Sequence, residues 1–149
     1  MNIIFCFVSA MLIAIAAHAE PVGGDASADV FIEAEDVDLN EFLWKKRPLV
    51  VFADSAADPR FVRQMELLTA RAQDLAERDV VVLTDTDPAA QSKLRQKLRP
   101  HGFMLALLVK DGTVYLRKPV PWDVREISRV IDKLPMRQQE VRERREQGL

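Results

Sequence analysis

Twice in this chain an unbroken apolar run meets an aspartate and then an Asp-Pro pair. Residues 49–53 lead through Asp54 and Ser55 to Asp58 and Pro59, and Val80, Val81, Val82 and Leu83 lead through Asp85 to Asp87 and Pro88. A short apolar run without polar alternation suits a strand buried on both faces, and hence a central parallel strand. Asp before Pro is a helix start: the carboxylate accepts from an orphan amide, and Pro brings a preset φ at a position that needs no amide. Two strand-to-helix units in tandem restrict the chain to an α/β architecture, because parallel strands require a crossover between them.

The remaining pattern extends that frame. Phe61, Met65, Leu68, Ala72 and Leu75 recur at intervals of four and three, which predicts one amphipathic helix against a sheet. The helix opened by Asp87-Pro88 presents Ala90, Leu94 and Leu98 and stops near Pro100 and Gly102. Residues 103–109 read as a third strand and 114–116 as a fourth. Asp111-Gly112 between them suits a type I′ hairpin turn, in which both central residues have positive φ. A final helix over 121–134 carries Val124, Ile127, Val130, Ile131 and Leu134 on one face and ends at Pro135. One or two helical turns over 38–44 precede the first strand. The predicted order is β-α-β-α-β-β-α, a mixed four-stranded sheet with helices.

The ends of the chain bound its chemistry. Residues 3–16 are apolar and Ala17-His18-Ala19 is a small-x-small cleavage pattern, so 1–19 reads as a signal peptide. The alternative, a membrane anchor, needs about 20 apolar residues. Cleavage predicts a periplasmic or secreted protein with no stable membrane insertion, and it removes Cys6 and His18. The rest of the chain then has no cysteine and one imidazole, His101. Disulfides, thiol catalysis and a zinc, copper or haem cofactor are therefore not expected. The net charge of −2 conceals an asymmetry: residues 20–41 hold eight acids and no Lys or Arg, so all 21 bases lie beyond them. That stretch reads as a solvated acidic leader, with folding back onto the basic body as the alternative. The basic surplus of the body (42–135) is small and no aromatic residues interleave with it, so nucleic acid is not an expected partner. Residues 136–149 read as a polar tail that frays, with a water-facing helix over 140–146 as the alternative.

In its order of elements, 49–134 resembles a thioredoxin-like domain. More narrowly, Arg47-Pro48-Leu49-Val50-Val51-Phe52-Ala53, Glu77-Arg78-Asp79-Val80-Val81-Val82, Lys110-Asp111-Gly112 and Asp132-Lys133-Leu134-Pro135-Met136-Arg137 resemble a family of exported bacterial proteins known only as a domain of unknown function. The resemblance implies a fold and a compartment, and no activity. In a thioredoxin the first helix opens on Cys-x-Pro-Cys, where the helix dipole favours a thiolate. Here Ala57-Asp58-Pro59-Arg60 stands in that register. The cis-proline that faces the motif in thioredoxins falls, by the same register, near Met104, beside Phe103 and Leu105. Both hallmarks are replaced.

Open α/β sheets bind ligands beyond the carboxyl ends of their parallel strands. Asp54, Ser55 and Asp58 follow the first of these strands, Asp85 and Asp87 the second, and Arg60 lies in the first helical turn. Carboxylates there suit a cation or a partner's basic groups, and Arg60 suits an anion. The structural alternative makes Asp58 and Asp87 caps and Asp85 a turn former, and explains Asp54 and Ser55 less well. The binding candidates are thus Asp54, Ser55, Asp58, Arg60, Asp85 and Met104, with no catalytic or metal-ligating residue. A Ser55–His101 hydrolase lacks the G-x-S-x-G elbow. The sequence Asp36-x-Asp38-x-Asn40 departs from a calcium loop at Glu41, where Gly is required, and at Arg47, where a bidentate Glu is required. Lys93, Arg95, Lys97, Arg99 and His101 spread around their helix as a solvated surface, which Arg117 and Lys118 could extend into a patch. Trp44 and Trp122 read as core anchors, with Trp122 alternatively an exposed contact. The leading functional reading is a non-redox, exported module that binds an envelope protein or peptide. Its rivals are a thiol-independent enzyme acting on an anionic substrate through the 54–60 loop, and an envelope scaffold.

Overall fold

The structure, a computed structural model, describes residues 30–33 and 37–149. The expected signal peptide over 1–19, most of the expected acidic leader and Asp36 lie outside the described residues. Five strands form one mixed sheet, one more than the sequence pattern predicts. They are β1 (Phe31–Glu33), β2 (Arg47–Phe52), β3 (Val80–Asp85), β4 (Met104–Leu108) and β5 (Val114–Lys118), in the order β1-β3-β2-β4-β5. Strand β2 pairs parallel with β3 and antiparallel with β4, so it is buried along its whole length. The extra strand comes from the acidic leader. Phe31, Ile32 and Glu33 pair parallel with Val82, Leu83 and Thr84, and Val30 packs into the core beside them.

Because strand side chains alternate, β2 serves two cores at once. Leu49 and Val51 face one layer with Leu68, Leu75, Val124, Ile127 and Ile131, while Val50 and Phe52 face another with Leu39, Leu94 and Leu98. The helices are α1 (Pro59–Thr69), α2 (Ala72–Ala76), α3 (Lys93–Leu98), α4 (Val124–Asp132) and α5 (Pro135–Glu146). Helices α1, α2 and α4 cover the first face and α3 the second. No described helix is long and apolar enough to cross a membrane.

Four local expectations are corrected. The first long helix is two helices, because Arg71 adopts φ −136 and interrupts it; Leu68, Ala72 and Leu75 are still buried, and Leu68 and Leu75 share one core. Asp87-Pro88 opens only a 3-10 turn (Pro88–Ala90), ended by left-handed Gln91. Ser92 then caps α3, which leaves Ala90 exposed while Leu94 and Leu98 are buried. In the β4–β5 hairpin only Gly112 has positive φ, so the turn is not type I′. The Gly112 amide donates to Val109 O at 2.9 Å, and a left-handed glycine closes the loop. A Cβ at Gly112 would also lie 2.9 Å from Leu43 Cδ2.

The fourth correction is the largest. Pro135 starts a helix as well as ending one: Leu134 is extended, Pro135 takes the first position of α5, and the expected fraying tail is helical to Glu146. Its sequence is too polar for an apolar face, and ion pairs hold it instead. Arg47, 1% exposed, donates to Glu140 at 2.8 Å and to Arg78 O at 2.9 Å. Lys110 bridges Glu140 at 2.9 Å and Asp79 at 2.8 Å. Burial alone would raise the Glu140 carboxyl, but hydrogen bonds from Arg47 and Lys110, with their charges, bring it down to about 2.

Candidate functional site

Register places the carboxyl ends of β2 and β3 side by side, Phe52 opposite Asp85. From that edge the chain turns through Asp54 and Ser55. Ser55 Oγ accepts from the Ala57 amide at 3.1 Å, and Ser55 O from the Asp58 amide at 3.1 Å. Asp58 then caps α1 by accepting from the Arg60 amide at 2.9 Å. Its carboxylate also holds the Arg60 guanidinium, Nε at 3.1 Å and Nη2 at 2.8 Å. The side-chain and backbone hydrogen bonds from Arg60 hold the Asp58 carboxyl below its ordinary value, and the same side-chain bond raises Arg60. Arg60 additionally lies 5.6 Å above the Phe103 ring.

The loop before β4 closes on this turn. Gly102 has φ +62, and a Cβ built there would stand 3.8 Å from Asp54 Oδ2 and 4.0 Å from Arg60 Nη2. The structure therefore brings Asp54, Asp58, Arg60, Gly102 and Phe103 together, where thioredoxins join their cysteine motif to their cis-proline loop. Asp54 and Ser55 are exposed, and the Asp54 carboxylate accepts no hydrogen bond from another described residue. Met104 lies opposite Phe52 in the register but is buried, with Arg117 Nη1 3.7 Å from its sulfur. It packs in the second core with Phe52, Leu94 and Leu98, so it is a core residue and not a binding one.

Asp85 forms the expected turn, accepting from the Asp87 amide at 3.2 Å, and does more besides. It is buried, and it accepts from Ser92 Oγ and from Arg95 Nε at 2.7 Å, so it ties β3 to α3. Arg95 also donates to Ala53 O at 2.6 Å and lies 5.5 Å from the centre of the Phe52 ring. Two expectations change together: Asp85 offers no free carboxylate, and Arg95 is no part of a solvated basic surface. Asp87 caps the 3-10 turn through the Ala89 amide at 3.0 Å. Between this turn and α1 lies an open cleft of about 450 Å³, lined by Glu33, Ala56, Phe61, Thr84, Thr86 and Asp87 among others. His101 is exposed, and Ser55 Oγ is engaged with Ala57 rather than with an imidazole. Among the described residues, no three His, Cys, Asp or Glu side chains gather as a metal site.

Two further placements bear on the site. Trp44 is 67% exposed with φ 63, so it is no core anchor. Trp122 packs against the first core, with Lys118 Nζ 4.7 Å from its ring centre. Buried Gln64 locks it there, accepting from the Trp122 amide at 2.7 Å and donating to Trp122 O at 3.0 Å. Sequence reasoning passed over Gln64, although it stands three residues after Phe61 and four before Leu68, on the apolar stripe itself. A polar residue in that position signals a buried side chain with a partner.

Strand order, helix placement and the paired loops define a thioredoxin-like fold whose reactive corner carries no sulfur. A thioredoxin-fold protein from Helicobacter pylori has a similar structure, with a TM-score of 0.50 over 71% of this chain and 76% of that one at 15% identity. Thioredoxin peroxidase I from Plasmodium yoelii is similar at a TM-score of 0.47, covering 69% of this chain and 80% of that one at 18% identity. At such identities the likeness is one of fold. The chain belongs to the DUF4174 family, a domain of unknown function, whose pattern spans residues 38–140. No curated protein sequence matches the chain.

Proposed function

We propose that this domain is an exported, non-redox module that binds a protein or peptide at the edge formed by the 54–60 loop, Gly102 and Phe103. One observation carries the reading. The corner that holds the reactive thiols in a thioredoxin here presents exposed Asp54 and Ser55 beside a closed Asp58–Arg60 pair. Asp54 is the group there without a capping or pairing bond to a described residue, so the edge suits a partner that donates hydrogen bonds or carries a basic group. Arg60 is already forked on Asp58, and a neutralised guanidinium is a poor clamp for an anionic substrate. That geometry favours binding over the enzymatic alternative.

Peptides selected from a displayed library against the purified protein test the site, read by amide hydrogen exchange. Protection over 55–60 and 101–104 in the bound state is the expected footprint, and protection confined to α5 or β5 would overturn the assignment. Export is tested by N-terminal sequencing of the protein recovered from its own cell. A start at Glu20 is expected, and an intact Met1 would contradict it.

A further inference from the structure

At the opposite end of the sheet, where β2 and β3 begin, a second groove of about 460 Å³ lies between the end of α4 and α5. Arg78, Arg137, Arg142 and Arg145 line it, with Asp132 as the carboxylate among them. Three of these arginines belong to α5. Arg137, Val141 and Arg145 recur at intervals of four, with Arg142 next to Val141, so one face of the helix turns its guanidiniums to the groove.

Acceptors are in short supply there. Arg78 takes both oxygens of Asp132, at 3.0 and 2.8 Å. Glu140 is drawn to the other side of α5 by Arg47 at 2.8 Å and Lys110 at 2.9 Å, and reaches Arg137 Nη1 only at 3.4 Å. In the Arg137 side chain, 8% exposed, Nε lies 3.8 Å from Asp132 and has no hydrogen-bond partner among the described residues. Buried donors of this kind are as a rule satisfied. Arg142 and Arg145 make no ion pair with a described residue and stand at the groove's rim.

We propose that this groove is an anion site, and that its ligand is a polyvalent phosphate-type oxyanion. Among the described residues that line the groove, four guanidiniums face one carboxylate, an imbalance that a singly charged carboxylate ligand would not meet. Phosphate oxygens match the guanidinium fork and accept from several donors at once. The bound oxyanion pairs with Arg137, whose buried Nε lacks a partner, and bridges Arg142 and Arg145 above it. The groove has room for a substituent on the phosphate, so the group can come from a soluble phosphate compound or from a phospholipid headgroup. This inference is independent of the binding edge at 54–60, which lies at the other end of the strands.

Titration calorimetry of the purified protein with pyrophosphate at low ionic strength tests it. One saturable site per chain is expected. Arg142→Gln combined with Arg145→Gln should weaken it about tenfold or more, with an unchanged urea midpoint because both side chains are exposed. Arg144→Gln, on the same helix but outside the groove, should leave binding as it was. Sedimentation with phosphatidylglycerol vesicles, against phosphatidylcholine vesicles, separates the two sources. Retention on the anionic vesicles that pyrophosphate reverses assigns a headgroup, and pyrophosphate binding without retention assigns a soluble phosphate; either upholds the site. Absence of saturable pyrophosphate binding, or equal weakening by Arg144→Gln, would overturn it.

Discussion

The two ends of the central strands use the same residue types in opposite ways. At the carboxyl end, aspartate and serine bond over two residues: Ser55 to Ala57, Asp58 to Arg60, Asp87 to Ala89. At the amino end the bonds are long in sequence. Arg47 reaches Glu140 across 93 residues, Arg78 reaches Asp132 across 54, and Lys110 reaches Asp79 across 31. Local bonds punctuate the chain and leave the surrounding surface free to vary. Long ones close the tertiary structure, and removing one partner strands another in a buried place. Apart from the buried Asp85–Arg95 pair that ties α3 to the sheet, the carboxyl-end turn at 54–60 can therefore carry function without carrying the fold, and the amino end holds α5 in place.

The sharpest break of this contrast is Arg47→Met. It leaves Glu140 and Arg78 O without their buried donor, and it should cost about 3–5 kcal/mol in urea unfolding. A loss under about 1 kcal/mol would put the cluster among exposed surface pairs. Leu68→Ala serves as the core reference on the same curve, with an expected loss of roughly 2–5 kcal/mol from a fully buried position.

Acid probes the same cluster without mutation. The Glu140 carboxyl ordinarily titrates near 4.5 and is held at about 2 in the fold. Folding thus favours its ionised form, and the stabilisation is complete above pH 4.5 and is lost as pH falls towards 2. It amounts to at most roughly 3 kcal/mol, and Glu140→Gln should flatten that part of the pH–stability curve. An unchanged slope in the variant would show that other carboxylates set it. At the carboxyl end the effects shrink. Asp58→Ala removes a helix cap and frees Arg60, so it should lower the urea midpoint by much less than Leu68→Ala. A loss as large as that core truncation would erase the contrast between the two ends.

The α/β order and the thioredoxin-like arrangement were legible because both rest on continuous local patterns. Val50 and Leu83 sit in runs buried on both faces, and Asp58-Pro59 carries its own capping geometry. The same locality made the Asp58 cap readable. What escaped depends on distant partners. Glu140 lies in a stretch with no apolar periodicity, so α5 became visible only once the fold brought Arg47 and Lys110 to it. Asp85 forms its local turn through the Asp87 amide, but Arg95 and Ser92, which also bond its carboxylate, arrive only with the fold. Strand β1 has only three residues, too few for a periodic signal, and β3 supplies its register.

The central claim is that Asp54 and Ser55 serve recognition rather than folding, and one paired measurement tests it. The variant carrying both Asp54→Ala and Ser55→Ala is compared with the parent for urea stability and for affinity towards a library-selected peptide. Stability within about 0.5 kcal/mol of the parent, together with peptide affinity about tenfold weaker or worse, is the expected pair. Unchanged affinity, or a loss of stability as large as that of Leu68→Ala, would contradict it.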